Sequence, residues 1–491
     1  MTPDTIVLGA GPNGLAAAAM LGRARRRVLV LERGNGLAAA SWEAGWVLPA
    51  LVRDLALDRH GWTPAAPDPW LTIPLAGGGT LALHRDAART AEAIRRVSPA
   101  DAARWREFCE RAARVAGFLA RLYAAPPPHP VPTGAADLLR LAGVARRARG
   151  LGRTGLTDLL RWLPMPVHDL LDDWFSDATL KGALGGLGVS GTRYGPRAGG
   201  TAFVLLHHHA GSPAGVFRSE SHGLRAALAA AARAHGAEIR TGAEVARILV
   251  TGDRATGVGL ASGEEIAAPL VVSSADPRRT FLALVGADHL DPDFVHAVRN
   301  IRFRGACALV ELSTAAPPPF AGIAAAPSLD HLERAADAVK YGRVSARPCV
   351  DLRATGAAAD GRHRVLAVVQ YAPYALRDGA WDEAARRALG DAGLGALRAH
   401  APALADARVE RVLAPVDLEA QYGLTEGSLS HGELALDQIL FMRPVAGWAH
   451  YRTPLPGLYL GGAGAHPGGG VPGAAGYLAA RAALRDAHAS R

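Results

Sequence analysis

The 491-residue sequence predicts an α/β protein: a Rossmann-like dinucleotide-binding domain carrying a helical insertion and an inserted α+β substrate domain. Three observations carry that prediction. Near the start, an apolar run, a glycine turn, an alanine-rich helix and a second apolar run ending in an acid follow one another. Far downstream, Leu270-Val271-Val272-Ser273-Ser274 reads as a strand returning to the same sheet. At the end, Gly457-Leu458-Tyr459-Leu460 gives another short strand, followed by a glycine loop and a helix.

The first of these is the most informative. Thr5-Ile6-Val7-Leu8 enters the turn Gly9-Ala10-Gly11-Pro12-Asn13-Gly14. Gly9 allows a tight turn, Gly11 lets the backbone approach a pyrophosphate, and Gly14 lets helix and strand pack closely. The helix start offers unpaired N–H groups and a positive dipole end to phosphates. Val28-Leu29-Val30-Leu31 then ends at Glu32, whose carboxylate can accept both ribose hydroxyls and disfavours a 2′-phosphate. The motif points to the ADP half of a dinucleotide.

Composition narrows the classes. Hydrophobic residues at 49% and charged residues at 20% describe a globular chain. The net charge of +9 is carried almost wholly by arginine, because Lys181 and Lys340 are the only lysines. These arginines are scattered, without a basic stripe interleaved with aromatics, so no nucleic-acid partner is expected. Cys109, Cys307 and Cys349 form no CxxC pair, which fits a reducing compartment. No uncharged apolar run reaches the roughly twenty residues needed to span a bilayer. The first strand begins at once, so no secretory leader is expected and a cytoplasmic location is. Peripheral membrane contact and homo-oligomerisation stay open.

The remaining elements follow in order. Gly34 to Ser41 reads as a loop entering a short helix, and residues 61–80 as connections plus a hairpin around Gly77-Gly78-Gly79. Across 100–123, Trp105, Phe108, Val115, Phe118, Leu119 and Leu122 form a helical stripe that Pro126-Pro127-Pro128 ends. A second helical block covers about 134–185. Its basic amphipathic centre, 140–149, reads as a solvated face, with a membrane-surface or lid role as the alternative. Ser221-His222-Gly223 leads into a helix over 224–235, strands over 237–240 and 244–251, and a meander. Strands over 301–313 and 364–371 and a helix over 381–400 make the second α+β domain. The expected division is 1–75, 213–295 and 425–491 for the nucleotide-binding domain, 76–212 for the helical insertion and 296–424 for the substrate domain.

The pattern G-x-G-x-x-G occurs three times, and context separates the copies. Gly186 to Gly191 follows a helical segment and reads as structural. Gly468 to Gly473 follows a strand and opens a helix, so its terminus can stabilise negative charge developing on a ring such as a reduced flavin. His207-His208-His209 is expected on a strand, where neighbours face opposite sides. With no acid or cysteine partner nearby, no metal site is expected.

Several stretches together resemble the phytoene desaturase-like (carotenoid and retinoid oxidoreductase) family of flavoproteins. They are Gly195-Pro196-Arg197 with Val204 to His208, Val369 to Tyr374, Tyr422-Gly423-Leu424-Thr425, His431 to Gln438 with Phe441 to Pro444, and Gly462 to Val471. The resemblance implies a glutathione-reductase-like FAD-binding domain. FAD would be held by Gly9, Gly11, Pro12, Asn13, Gly14, Glu32, Arg33, the main chain of Val245, and Gly464, Gly469, Gly470 and Val471. Where members carry a double glycine after the acid, this chain has Gly36-Leu37-Ala38-Ala39, and Ser221-His222-Gly223-Leu224 replaces Gly-Gly-Met-Gly.

The implied activity is an FAD-dependent desaturase or dehydrogenase taking a hydride from a C–H bond of an apolar or conjugated small molecule to flavin N5. The electron acceptor is left open among oxygen, a quinone and another protein. Candidates for the substrate pocket are His431, Glu433, Asp437 and Arg443, then Tyr371 and His208, with Arg443 reading more as an anchor than a catalyst. The same fold also serves flavin amine oxidases, which commonly place a lysine near N5, and non-redox isomerases. Lys340 lies in a segment that reads as surface.

Overall fold

The computed structural model of the chain describes residues 2–35, 45–75, 78–129, 131, 134–212, 219, 221–357, 361–399, 401 and 404–489. The stretch Gly36-Leu37-Ala38-Ala39 and the short helix expected after it lie outside the described residues.

Five parallel strands form the central sheet, in the order β15 (Leu458–Leu460), β9 (Leu270–Ser273), β1 (Thr5–Leu8), β2 (Val28–Leu31), β5 (Glu238–Arg240). β1 and β2 are buried along their whole length. That is why they read as unbroken apolar runs, since a parallel sheet is covered on both faces. The helix Pro12–Arg23 packs against Leu224–Ala234 and Ala474–Ala489. All three are alanine-rich, so their axes approach closely. A Cβ on Gly476 would stand 1.8 Å from the Asn13 carbonyl oxygen.

The second sheet has seven strands, in the order β14 (Arg408–Leu413), β10 (Cys307–Thr314), β13 (His363–Gln370), β12 (Cys349–Ala357), β11 (Gly322–Ala325), β3 (Leu71–Pro74), β4 (Thr80–Leu83). The early hairpin β3–β4 thus belongs to this sheet, joined through the parallel pairing of Thr72 with Ile323. The helix Glu383–Arg398 covers it. The meander is a separate antiparallel sheet of β6 (Val245–Thr251), β7 (Arg254–Leu260) and β8 (Glu265–Ala267).

The helical insertion runs through Pro99–Tyr123, Ala135–Arg149, Gly152–Trp162, Val167–Trp174, Ala178–Val189 and Thr201–His209. The stripe Trp105, Phe108, Val115, Phe118, Leu119 and Leu122 is buried. Phe108 meets Phe175 edge-on at 5.0 Å.

The expectation for the triple histidine is overturned. His207-His208-His209 is the last turn of the helix Thr201–His209, not part of a strand. Ala202 to Leu206 are all buried, so the segment shows no period, and a short apolar run does not discriminate helix from strand. The strand-face argument against a metal falls with it. Among the described residues, no group of three or more His, Cys, Asp or Glu is placed to hold a metal ion.

Two glycine-to-alanine substitutions should act in opposite directions in denaturant unfolding. Gly476→Ala forces Cβ into the Asn13 carbonyl and should cost about 3 kcal/mol. Gly395→Ala, in open space on the helix Glu383–Arg398, should gain about 0.5–1 kcal/mol.

Candidate active site

A cavity of about 660 Å³ opens at the carboxyl ends of β1, β2 and β9, where the connecting loops part. Gly9, Gly11 and Pro12 line it after β1, Glu32 to Asn35 after β2, and Ser274 and Ala275 after β9. Ala243 to Val245, Arg225, Ser190, Gly191 and His208 join them. The second sheet and its loops supply Leu309, Val368, Leu418, Leu424, Leu429, Ser430 and His431, and the carboxy-terminal loop supplies Gly470. A larger cavity of about 1030 Å³, walled partly by Trp46, Trp62 and Trp70, holds none of the residues read from the sequence as cofactor ligands. The hydrogen bond from Trp46 N–H to Gly470 O, 3.0 Å, stands between the two. We assign the cofactor to the smaller cavity because its chemistry fits.

The glycine turn shows three distinct reasons for glycine. Gly9 sits at φ +88°, and a Cβ there would strike Ser274 Oγ at 2.6 Å. Gly14 abuts the Gly9 carbonyl, which a Cβ would approach to 1.9 Å. At Gly11 a Cβ would meet nothing within 4 Å, so its absence leaves a cradle open on the cavity side for a phosphate to approach the backbone. Glu32 is held in place. Its Oε2 accepts from the Ala10 amide at 2.7 Å and its Oε1 from the Gly34 amide at 3.0 Å. Arg33 lines the cavity, donates to the Ala420 carbonyl and lies 3.9 Å from Glu244.

The other expected cofactor residues divide. Val245 and Gly470 line the cavity, Gly470 at φ +79°. Asn13 lies against Gly476, whose amide reaches Asn13 Oδ1 at 3.5 Å. Gly464, Gly469 and Val471 stand behind the wall. Gly464 packs on Pro277, Gly469 packs on Ser430, and Val471 is buried.

Of the substrate-pocket candidates, His431 and His208 line the cavity. His431 is held at φ +53°, and its buried Nδ1 has no hydrogen-bond partner. Burial lowers its pKa, so the ring is neutral at pH 7. Glu433, Asp437, Arg443 and Tyr371 lie outside the lining. Glu433 Oε2 accepts from Arg302 Nε and from Tyr194 O–H, both at 2.9 Å, and Asp437 pairs with Arg302 at 2.7 Å. Arg443 is buried and donates to the carbonyls of Ala463, Glu433, Gln438, Ser430 and Gly432. Burial pulls its pKa down to about 10, leaving it charged at neutral pH. Tyr371, at φ +70°, donates to the Tyr194 carbonyl at 2.7 Å.

Other contributors were not foreseen. Arg225 lines the cavity and its Nε donates to the Ala10 carbonyl at 2.9 Å. The available signal was a basic residue in the first turn of the helix after Ser221-His222-Gly223-Leu224. Ser274 Oγ donates to the Leu8 carbonyl at 2.5 Å. Gln370 fixes the turn that carries Ser190 and Gly191. Its amide donates to the Val189 and Thr192 carbonyls at 2.9 and 2.7 Å, and its oxygen accepts from Gly191 N–H at 3.2 Å. His207 bridges Tyr123 and the glycine loop, with Nδ1 2.8 Å from Tyr123 Oη and Nε2 2.6 Å from the Gly469 carbonyl.

The FAD dependent oxidoreductase (DAO) family profile matches residues 4–177. The pyridine nucleotide-disulfide oxidoreductase domain-containing protein 2 of Rattus norvegicus is 33% identical, over 98% of this chain and 93% of its own. The hydroxyneurosporene desaturase of Cereibacter sphaeroides is 30% identical, over 99% of this chain and 98% of its own. Among solved structures, an oxidoreductase from Methanosarcina mazei matches with a TM-score of 0.58 at 16% identity, covering 98% of this chain and 99% of that one, a likeness of fold alone.

Gly11→Val should leave the fold intact, because a Cβ there meets no protein atom within 4 Å, yet the purified protein should carry at least about tenfold less FAD. Glu32→Ala should weaken FAD by about 2 kcal/mol. Released flavin absorbance measures both. A pH effect on stability also follows. Burial pulls His207 and His466 from the ordinary 6.5 to about 4, so below pH 6.5 the unfolded chain binds protons that the folded chain refuses. Their stabilisation is complete above pH 6.5 and lost as pH falls toward 4. Between pH 6.5 and 5 that loss should reach about 2 kcal/mol per histidine. Urea melts should show it, with a smaller slope in His466→Asn.

Proposed function

The chain belongs to the phytoene desaturase-like family of FAD-dependent oxidoreductases, and from that premise we propose that it dehydrogenates an apolar or conjugated small molecule. The observation that carries this reading is the cavity's wall on the second-sheet side. Leu309, Val368, Leu418, Leu424 and Leu429 present an apolar surface opposite the glycine turn. A chamber of only about 30 Å³ between the helix Ala178–Val189 and the second sheet adjoins the cavity, sharing Ser190 and Val368 with its lining. Such walls orient a hydrocarbon by shape and exclude water.

Glu32 would accept the ribose hydroxyls, and the Gly11 backbone would cradle the pyrophosphate. FAD supplies a hydride acceptor at flavin N5 when bound. In a desaturation two C–H bonds on adjacent carbons break and a C=C bond forms, with one hydrogen leaving as hydride and the other as a proton. His431 is neutral, buried and bare at Nδ1, so that atom is our candidate to take the proton. Arg443 holds the carbonyls of Ser430 and Gly432 on either side of it and acts as a positioning residue.

The amine oxidase reading lacks its lysine. Lys340 pairs with Asp337 at 2.7 Å at the end of the helix Leu329–Lys340, Lys181 pairs with Asp172 at 2.6 Å, and neither lines the cavity. Anaerobic mixing of the FAD-loaded protein with a panel of alkenes, polyenes and amines decides between the readings. Bleaching of the yellow absorbance by apolar alkenes or polyenes supports dehydrogenation, and bleaching by amines alone overturns it. His431→Asn tolerates the positive φ and should retain FAD while slowing that bleaching by about a hundredfold or more.

A further inference from the structure

We propose that the larger cavity is a second binding site, taking a small organic anion with an aromatic body, such as an aryl carboxylate. It holds about 1030 Å³ and is separate from the flavin cavity. A tight backbone seam divides the two. Trp46 N–H donates to the Gly470 carbonyl at 3.0 Å, and a Cβ on Gly45 would stand 2.5 Å from that same oxygen. From this seam the larger cavity leads away from the carboxyl edge of the central sheet. Its far part is lined by Arg23, the last residue of the helix Pro12–Arg23, and by His235, just past the helix Leu224–Ala234. A Cβ on Gly22 would stand 2.7 Å from the His235 carbonyl oxygen, so these two helix ends lie side by side.

The lining defines the chemistry of the ligand. Trp46, Trp62 and Trp70 all border this one cavity. Trp62 Nε1 donates to the His222 carbonyl at 3.0 Å, but Trp70 Nε1, on a side chain 2% exposed, has no hydrogen-bond partner. A buried N–H left bare is costly, and a ligand oxygen in the cavity would satisfy it. Among the described residues, four arginines line the cavity, Arg23, Arg53, Arg59 and Arg85, against two acids. Asp54 is already engaged, accepting from Tyr477 O–H at 2.6 Å and pairing with Arg53 at 3.2 Å. That leaves Asp58 against three arginines, none of which makes a salt bridge among the described residues. Burial, His60 and Arg23 together lower the His235 pKa, as an electropositive surround requires. Indole faces favour a flat ring, and surplus positive charge favours an anion. The flavin cavity presents an apolar wall instead, so the hydride donor proposed above is not this ligand.

Equilibrium dialysis of the FAD-loaded protein tests the site, with 2-naphthoate, its neutral isostere 2-naphthamide and the aliphatic anion decanoate. Naphthoate should bind saturably, and the other two at least several-fold more weakly. Arg23→Gln with Arg59→Gln, both exposed, should weaken naphthoate about tenfold and leave naphthamide unchanged. Trp70→Phe keeps the aromatic wall, removes the N–H and should weaken naphthoate about fivefold. The control Arg334→Gln with Arg387→Gln should have no effect. Retained flavin in every variant reports an intact fold. The proposal is overturned if naphthoate does not bind saturably, if naphthamide or decanoate binds as tightly, or if the arginine pair changes nothing. It is overturned too if naphthoate binds only after FAD is removed, since the ligand then occupies the flavin cavity.

Discussion

The double pairing of β1 constrains the whole molecule. Thr5 lies opposite Val28 on one side and Leu270 on the other, so both edges of the first strand are occupied, by one near and one distant part of the sequence. The helical insertion and the meander must therefore leave the sheet and come back to it. β15 then adds beside β9, which carries the loop that follows it to the same end of the sheet. Excursions of this length are tolerable because the entropy of closing a loop grows only slowly with its length. What they require in return is a dry, well-packed landing site, and the apolar β1, β2 and β9 provide it.

The electrostatics of the site follow from where these excursions land. The loops around His431 and Gly464 have few strands to stiffen them, and Arg443 does that work. One buried guanidinium satisfies five carbonyls, which is how a cation is kept in an interior at tolerable cost. Around it, His207, His431 and His466 are kept neutral by burial, so positive charge near the cavity is carried by the arginines. Glu433 and Asp437 share Arg302 and stand outside the lining.

Legibility in the sequence tracked the range of the interactions. The glycine turn, the acid at 32 and the returning strand were readable, because each depends on local backbone geometry or on burial along a few consecutive residues. The stripe across Trp105 to Leu122 was readable for the same reason, having a clean helical period. The triple histidine was misread because its apolar approach carries no period. Glu433, Asp437 and Arg302 show a different limit. Three charged residues read separately say nothing of the pairing they make across more than a hundred positions. Arg225 and Gln370 are long-range too, each acting on the backbone of a distant turn. What the sequence offered at the second sheet was strand composition, without the order in which β3, β10 and β14 would line up.

Gly470 closes the cavity from near the carboxy terminus, while Gly9 to Glu32 come from the amino terminus, so the binding site spans the order of synthesis. On the ribosome the nucleotide turn emerges early, and it must wait through the making of both other sheets before its opposite wall exists. The cavity is therefore walled in full only late in synthesis, and a nascent chain stalled before its last strand would lack the side that Gly470 supplies.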